Sequence, residues 1–225
     1  MRRDGAFVRL PPFGPGQTIG LLGGSFNPPH EGHLLASHLA LTRAGLDRVW
    51  WLATPGNPLK STADLAALRA RLEAARALIH DPRIAVTGFE SEIGSRYTAD
   101  TLRYLKLHAP GARFVWIMGA DNLAGFHRWR DWREIAAMVP MLVVDRPGSS
   151  FAALSSRAAQ ALTRWRRPEG EARRLAFMAA PAWIFLHGRR SGASSTALRA
   201  RFRDAAPPPP FPSPTRGEGT AGGGA

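Results

Sequence analysis

Residues 23–33 run Gly-Gly-Ser-Phe-Asn-Pro-Pro-His-Glu-Gly-His directly behind the apolar run Ile19-Gly20-Leu21-Leu22. That order predicts a short buried strand, a glycine-rich turn, and a helix that begins beside two histidines three residues apart. Glycines let backbone N–H groups approach an anion closely, and the exposed N–H groups of a helix start favour negative charge. His30 and His33 fall on one face of the first turn, so both imidazoles can reach one phosphate. Gly23-Gly24 alone also reads as an ordinary turn, and Pro28-Pro29 as a plain stop between strand and helix. Two histidines bracketing Glu31-Gly32 behind a strand point instead to a polyphosphate site. The last glycine of the dinucleotide fingerprint is missing, which disfavours an NAD-using dehydrogenase.

The rest of the chain predicts what this turn is attached to. Its 225 residues suffice for one substantial domain, and 44% hydrophobic residues can fill its core. Strands are predicted at 18–23, 49–53, 84–86, 114–118, 141–144 and 183–186. Helices are predicted at about 32–44 with Gly45 as the stop, 64–79, from Thr98 as cap to 108, 151–166, and from Ser194-Ser195 as cap to 203. Continuous apolar strands alternating with amphipathic helices imply a single doubly wound α/β domain, with a mostly parallel sheet covered by helices on both faces. Ligands of such sheets sit beyond the carboxyl ends of the strands where the strand order reverses, and the histidine turn is at that edge. Residues 1–17 are expected as a flexible lead-in, 18–204 as the domain, and 205–225, rich in Pro and Gly, as a disordered tail.

Charge narrows the partners less than it first suggests. The formal net charge is +13, and of the 30 basic residues only Lys60 and Lys106 are lysines. This balance suits phosphate-rich ligands or nucleic acid. It also suits a merely solvated arginine surface, and no zinc-finger, RNA-recognition or long basic helix signature accompanies it, so no specific nucleic-acid partner is expected. No apolar stretch is long enough to cross a bilayer, and Met1-Arg2-Arg3-Asp4 is not followed by a leader's apolar segment, so no membrane association is expected. Without cysteine there are no disulfides, thiolate metal sites or cysteine nucleophiles, and a cytoplasmic location follows by default. Nothing in the pattern indicates an oligomeric state.

Three further stretches carry candidate chemistry. In Ser194-Ser195-Thr196-Ala197-Leu198-Arg199, hydroxyls at a helix start either cap it or donate to a phosphate, with Arg199 one turn in on the same side. Met118-Gly119-Ala120-Asp121 ends the fourth strand, where Asp121 either accepts from ribose or adenine or caps the next helix. Behind it, Trp132 suits the core, while Trp129, between two arginines, suits stacking on a planar ring. Arg96-Tyr97-Thr98-Ala99-Asp100-Thr101-Leu102 opens a helix whose free N–H groups can hold a carboxylate or a phosphate. Lys60 ends a Pro/Asn-rich loop and is either a surface lysine or part of a flap over the site.

From about Ile19 to Arg203 the chain resembles the bacterial nicotinate-nucleotide adenylyltransferases of the HxGH nucleotidyltransferase superfamily. The resemblance is carried by the Gly23–His33 run, Asn57-Pro58-Leu59-Lys60, Tyr97-Thr98-Ala99-Asp100-Thr101-Leu102, Gly119-Ala120-Asp121 with Trp129, and Ser194–Arg199. The first and last are general to the superfamily; the Tyr97–Leu102 segment and the tryptophans point to the nicotinate branch. Asn27 stands where an aspartate is often found.

The resemblance implies a Rossmann-like enzyme that transfers the adenylyl group of ATP to nicotinate mononucleotide, giving deamido-NAD and pyrophosphate, with Mg2+ accompanying ATP. It assigns His30, His33 and Arg199 to catalysis. Gly23, Gly24, Ser25, Phe26, Gly119, Asp121, Ser195 and Thr196 join them in binding ATP, and Asn27, Lys60, Tyr97, Thr98 and Trp129 bind the mononucleotide. No side chain is assigned to the metal. The acceptor's phosphate is already ionised, so positioning and charge neutralisation suffice without a general base. A phosphopantetheine adenylyltransferase would share the histidine turn, but Trp129 and the Tyr97-Thr98 helix start disfavour it. A basic RNA-binding protein is the non-enzyme alternative, resting on charge alone.

Overall fold

Trp50 and Trp51 are neighbours in sequence yet belong to two different cores, one on each face of a sheet. The computed structural model describes residues 8–55, 66–145 and 150–187. Its seven strands are β1 (Thr18–Gly24), β2 (Arg48–Ala53), β3 (Ile84–Thr87), β4 (Arg113–Gly119), β5 (Met141–Val144), β6 (Arg166–Arg167) and β7 (Trp183–Leu186). They form one sheet in the order β3-β2-β1-β4-β5-β7-β6, and every pairing is parallel. Strand order reverses between β1 and β4, so the crevice above their carboxyl ends lies between Gly24 and Gly119.

Helices α1 (Glu31–Thr42) and α2 (Leu68–Leu78), with a 3-10 segment at Glu169–Phe177, cover the Trp51 face. The Trp50 face is covered by α3 (Thr98–His108), α4 (Ala120–Gly125), α5 (Trp132–Met138), α6 (Ser150–Leu154) and α7 (Arg157–Ala161). Period-two alternation produces the division, with Leu21, Trp50 and Trp116 on one side and Leu22, Trp51 and Ile117 on the other. Each fully buried side chain of this size contributes about 1.5–3 kcal/mol. No helix among the described residues is long and apolar enough to cross a membrane.

Several expectations are corrected. The predicted helix 151–166 is broken into α6, α7 and a 3-10 turn at Thr163–Trp165. Ser156 causes the break: its hydroxyl accepts from the Ala159 N–H at 3.2 Å and starts α7 anew. Thr98 is not a cap, because Tyr97 holds the cap position in extended conformation and makes no side-chain capping bond. α2 begins at Leu68, because Arg71 Nε donates to the Ala66 carbonyl at 2.9 Å and holds that residue outside the helix. Residues 120–138, unassigned from sequence, form α4, α5 and a 3-10 turn at Phe126–Arg128. The 8–17 stretch lies against the domain: Leu10 and Phe13 pack on the core, with Phe13 edge-on to Trp50 at 5.9 Å. The terminal helix and the tail lie outside the described residues.

Candidate active site

β1 delivers Gly23 and Gly24 to the crevice, and what requires glycine at 23 is packing. A Cβ there would lie 2.8 Å from the Trp116 ring, which rises from the neighbouring β4. At Phe26 the chain turns through a left-handed conformation (φ 46°), which sends the ring inward. It is fully buried, stacked on Trp51 at 4.9 Å and tilted against His33 at 4.7 Å. Phe26 therefore supports the histidines and brings no side chain to either cavity described below.

The two histidines close the start of α1 reciprocally. His30 Nδ1 accepts the Gly32 N–H at 3.1 Å, and His33 Nδ1 accepts the His30 N–H at 3.2 Å. Both neutral rings thereby keep their proton on Nε2, the tautomer that can donate to an anion. The rings stack at 3.7 Å, but not equally exposed: His30 is buried and His33 lines a cleft. A relay fixes them to the sheet. Trp51 Nε1 donates to Ser37 Oγ at 2.8 Å, and Ser37 Oγ donates to the His33 carbonyl at 2.8 Å.

Two cavities meet at this edge. The narrower, about 40 Å³, is lined by Gly23, His33, Gly119, Asn122 and Asp145 among others. The larger, about 380 Å³, is lined by Gly23, Gly24, Ser25, Tyr97, Thr98, Trp116 and Trp129, with Glu90, Asn122 and the three arginines Arg96, Arg128 and Arg130. Gly23 and Asn122 belong to both. Trp129 is half-buried and stands edge-on to Trp116 at 6.2 Å, which leaves aromatic surface toward the cavity. Arg130 lies over the Tyr97 ring at 4.7 Å.

The wall formed by α3 is positioned by polar contacts. Ser95 Oγ accepts the Tyr97 N–H at 3.1 Å and donates to Asp100 at 2.8 Å, so Thr98 supplies the first uncommitted helix-start amide. Arg103 ties α3 to α5, donating to Asp100 at 2.6 Å and to Glu134 at 2.8 Å. That guanidinium holds the Glu134 carboxyl below its ordinary range. On the other wall, Arg71 is buried and pairs with no carboxylate among the described residues. It donates to the carbonyls of Ser25 at 2.6 Å and Thr54 at 2.9 Å, tying the glycine turn to the end of β2.

Of the residues expected at the site, Gly23, Gly24, Ser25, His33, Tyr97, Thr98, Gly119 and Trp129 converge on the two cavities, and His30 stands directly behind His33. Asn27 and Asp121 line neither. Asp121 is exposed in the first turn of α4, whose cap is Gly119, so it does not cap that helix. Lys60, Ser195, Thr196 and Arg199 lie outside the described residues. Sequence reasoning missed Glu90, Arg71, Trp116 and Asn122. Only Glu90 left a signal, a carboxylate straight after the buried Phe89 at a strand end.

The cytidylyltransferase-like family matches residues 21–201. A protein of Methylorubrum extorquens, described as "Probable nicotinate-nucleotide adenylyltransferase", is 62% identical over 183 residues, covering 81% of this chain and 99% of the relative. One of Bradyrhizobium sp. with the same description is 61% identical over 181 residues, covering 80% and 94%. Among solved structures, Plasmodium falciparum nicotinic acid mononucleotide adenylyltransferase complexed with NaAD superposes with a TM-score of 0.63. It is 15% identical and covers 82% of this chain and 83% of its own, a likeness of fold.

Proposed function

Because the chain belongs to the nicotinate-nucleotide adenylyltransferase family, we propose that its larger cavity receives the pyridine of nicotinate mononucleotide and its histidine turn the phosphates of ATP. The reaction joins the two: the mononucleotide phosphate attacks the α-phosphorus of ATP, the bond to the departing pyrophosphate breaks, and deamido-NAD forms. The observation that supports this assignment is that the aromatic cavity and the cleft beside His33 are adjacent, with Gly23 and Asn122 lining both.

In this assignment the Nε2–H groups of His30 and His33, with the α1 N-terminus, offset charge on the α-phosphate and the leaving group. Arg199, with the Ser195 and Thr196 hydroxyls, serves the triphosphate, and Lys60 and Asn27 the mononucleotide. Trp129 stacks on the pyridine, and the Thr98 amide donates to its carboxylate. An amide in that place can still turn its carbonyl oxygen to this donor but lacks the negative charge that a helix start favours.

Nucleotidyl transfer of this kind uses a divalent cation with ATP, here Mg2+. Among the described residues no three His, Cys, Asp or Glu side chains converge on a metal position. Bound with ATP, the cation would neutralise phosphate charge, and phosphate oxygens with water would suffice to hold it. A cytoplasmic location belongs to the same proposal.

Pyrophosphate release, measured with ATP and nicotinate mononucleotide, nicotinamide mononucleotide or phosphopantetheine in turn, tests the assignment. Release is expected to be fastest with nicotinate mononucleotide. Release with phosphopantetheine alone would replace the acceptor.

A further inference from the structure

Glu90 lies in the wall of the larger cavity, beside Tyr97, Thr98, Trp116 and Trp129, and is 5% exposed. It belongs to a 3-10 turn, Phe89–Ser91, that follows β3. Its Oε1 accepts the Thr101 hydroxyl at 2.7 Å, and the Thr54 side chain is a second hydrogen-bond partner. No cation among the described residues pairs with it. Among the described residues, the charged and titratable groups around it are Tyr97 and Arg96 at the start of α3, Arg128 and Arg130 across the cavity, and Arg71. Arg71 reaches only the carbonyl of Thr54, the residue after β2. Two hydroxyls and no counter-ion suit a carboxyl that changes charge with its surroundings better than a permanent anion.

The mononucleotides that compete for this cavity differ in charge at the ring. The pyridinium is cationic; a carboxylate at its 3-position makes the ring neutral overall, whereas an amide leaves it cationic. Resting on the acceptor assignment above, we propose that Glu90 reads this difference: its neutral form admits the nicotinate ring, and its ionised form draws in the amide-bearing cation. Burial pushes its carboxyl up to about 7, so the two forms exchange near neutral pH. A sphere of 380 Å³ is about 9 Å across. At that separation and an effective dielectric of ~20, one unit charge changes the preference on the order of tenfold.

The test is the ratio of kcat/KM for nicotinate mononucleotide to that for nicotinamide mononucleotide, from pH 5.5 to 8.5, in the wild type and in Glu90→Gln. Titrations common to both substrates, including their phosphates, cancel in the ratio, and a purely structural Glu90 would leave its pH dependence unmoved. The wild-type ratio is expected to fall about tenfold with rising pH, and the Glu90→Gln ratio to stay flat near the low-pH value. A flat wild-type ratio, or an equal slope in Glu90→Gln, would overturn the proposal. Should the variant not fold, calorimetry of the wild type at pH 7.5 in two buffers of different ionisation enthalpy serves instead. Proton uptake on binding nicotinate mononucleotide, and proton release on binding its amide, is expected; identical proton exchange for the two would overturn it. Turnover with neither mononucleotide would remove the acceptor assignment itself.

Discussion

His30 and His33 hold each other in place: their rings stack at 3.7 Å, and each accepts a backbone N–H that opens α1. The pair therefore caps α1, and in the proposed assignment the same two rings also donate to phosphate. His33→Ala is expected to lower kcat ~100-fold or more and to lower Tm as well, because the His30 N–H loses its acceptor. His30→Ala is expected to lose turnover similarly and also about 1 kcal/mol of stability, because His30 occupies the cap position. Turnover near the wild-type value in either variant would remove the pair from catalysis.

Trp129 and Trp116 meet edge to face, and only Trp116 is locked in the core. Trp129→Ala should therefore raise KM for the mononucleotide about 5- to 150-fold, given ~1–3 kcal/mol for a ring stacked on an aromatic side chain, and leave KM for ATP nearly unchanged. Steady-state kinetics with each substrate varied in turn decide it. A larger effect on ATP would exchange the two sites.

Arg71 tethers the glycine turn to the end of β2 through the Ser25 and Thr54 carbonyls. Lysine cannot reproduce its fork. Arg71→Lys is expected to cost ~1–3 kcal/mol in urea unfolding, the range for a buried acceptor losing its partner, and to raise both KM values. Unchanged stability would show that the tether is dispensable.

Much of this fold was legible in the sequence because its strongest signals are periodic. The Leu21-Leu22, Trp50-Trp51 and Trp116-Ile117 pairs announce strands buried on both faces, and the histidine turn marks the ligand edge. Helices of five to seven residues, such as α4 and α5, were not legible, since so short a stretch contains barely two turns of pattern. Gly23, His33, Tyr97, Thr98 and Trp129, each expected from a local pattern, line the two cavities. Glu90 and Arg71 were not expected, because their roles depend on partners brought by other elements, Thr101 and Thr54 for one, Ser25 and Thr54 for the other.

Glu90 also makes stability depend on pH in a defined direction. Its folded-state carboxyl lies near 7, against an ordinary value of 4.5. Between those values the folded state keeps a proton that the unfolded chain has lost, so stability falls as pH rises from about 4.5 to 7 and levels off above. Glu90→Gln removes this loss. Its unfolding free energy relative to the wild type should rise between pH 5 and pH 8 by up to ~3 kcal/mol. Urea unfolding of both proteins at the two pH values measures it; the same difference at both would contradict a buried, proton-binding Glu90.

A crystal structure with deamido-NAD bound tests the central claim most directly. The pyridine is expected against Trp129 with its carboxylate at the Thr98 amide, and the bridging phosphates within hydrogen-bond reach of His33 Nε2. A dinucleotide bound with its adenine in the Trp129 cavity, or bound away from the Gly23–Asn122 junction, would contradict it.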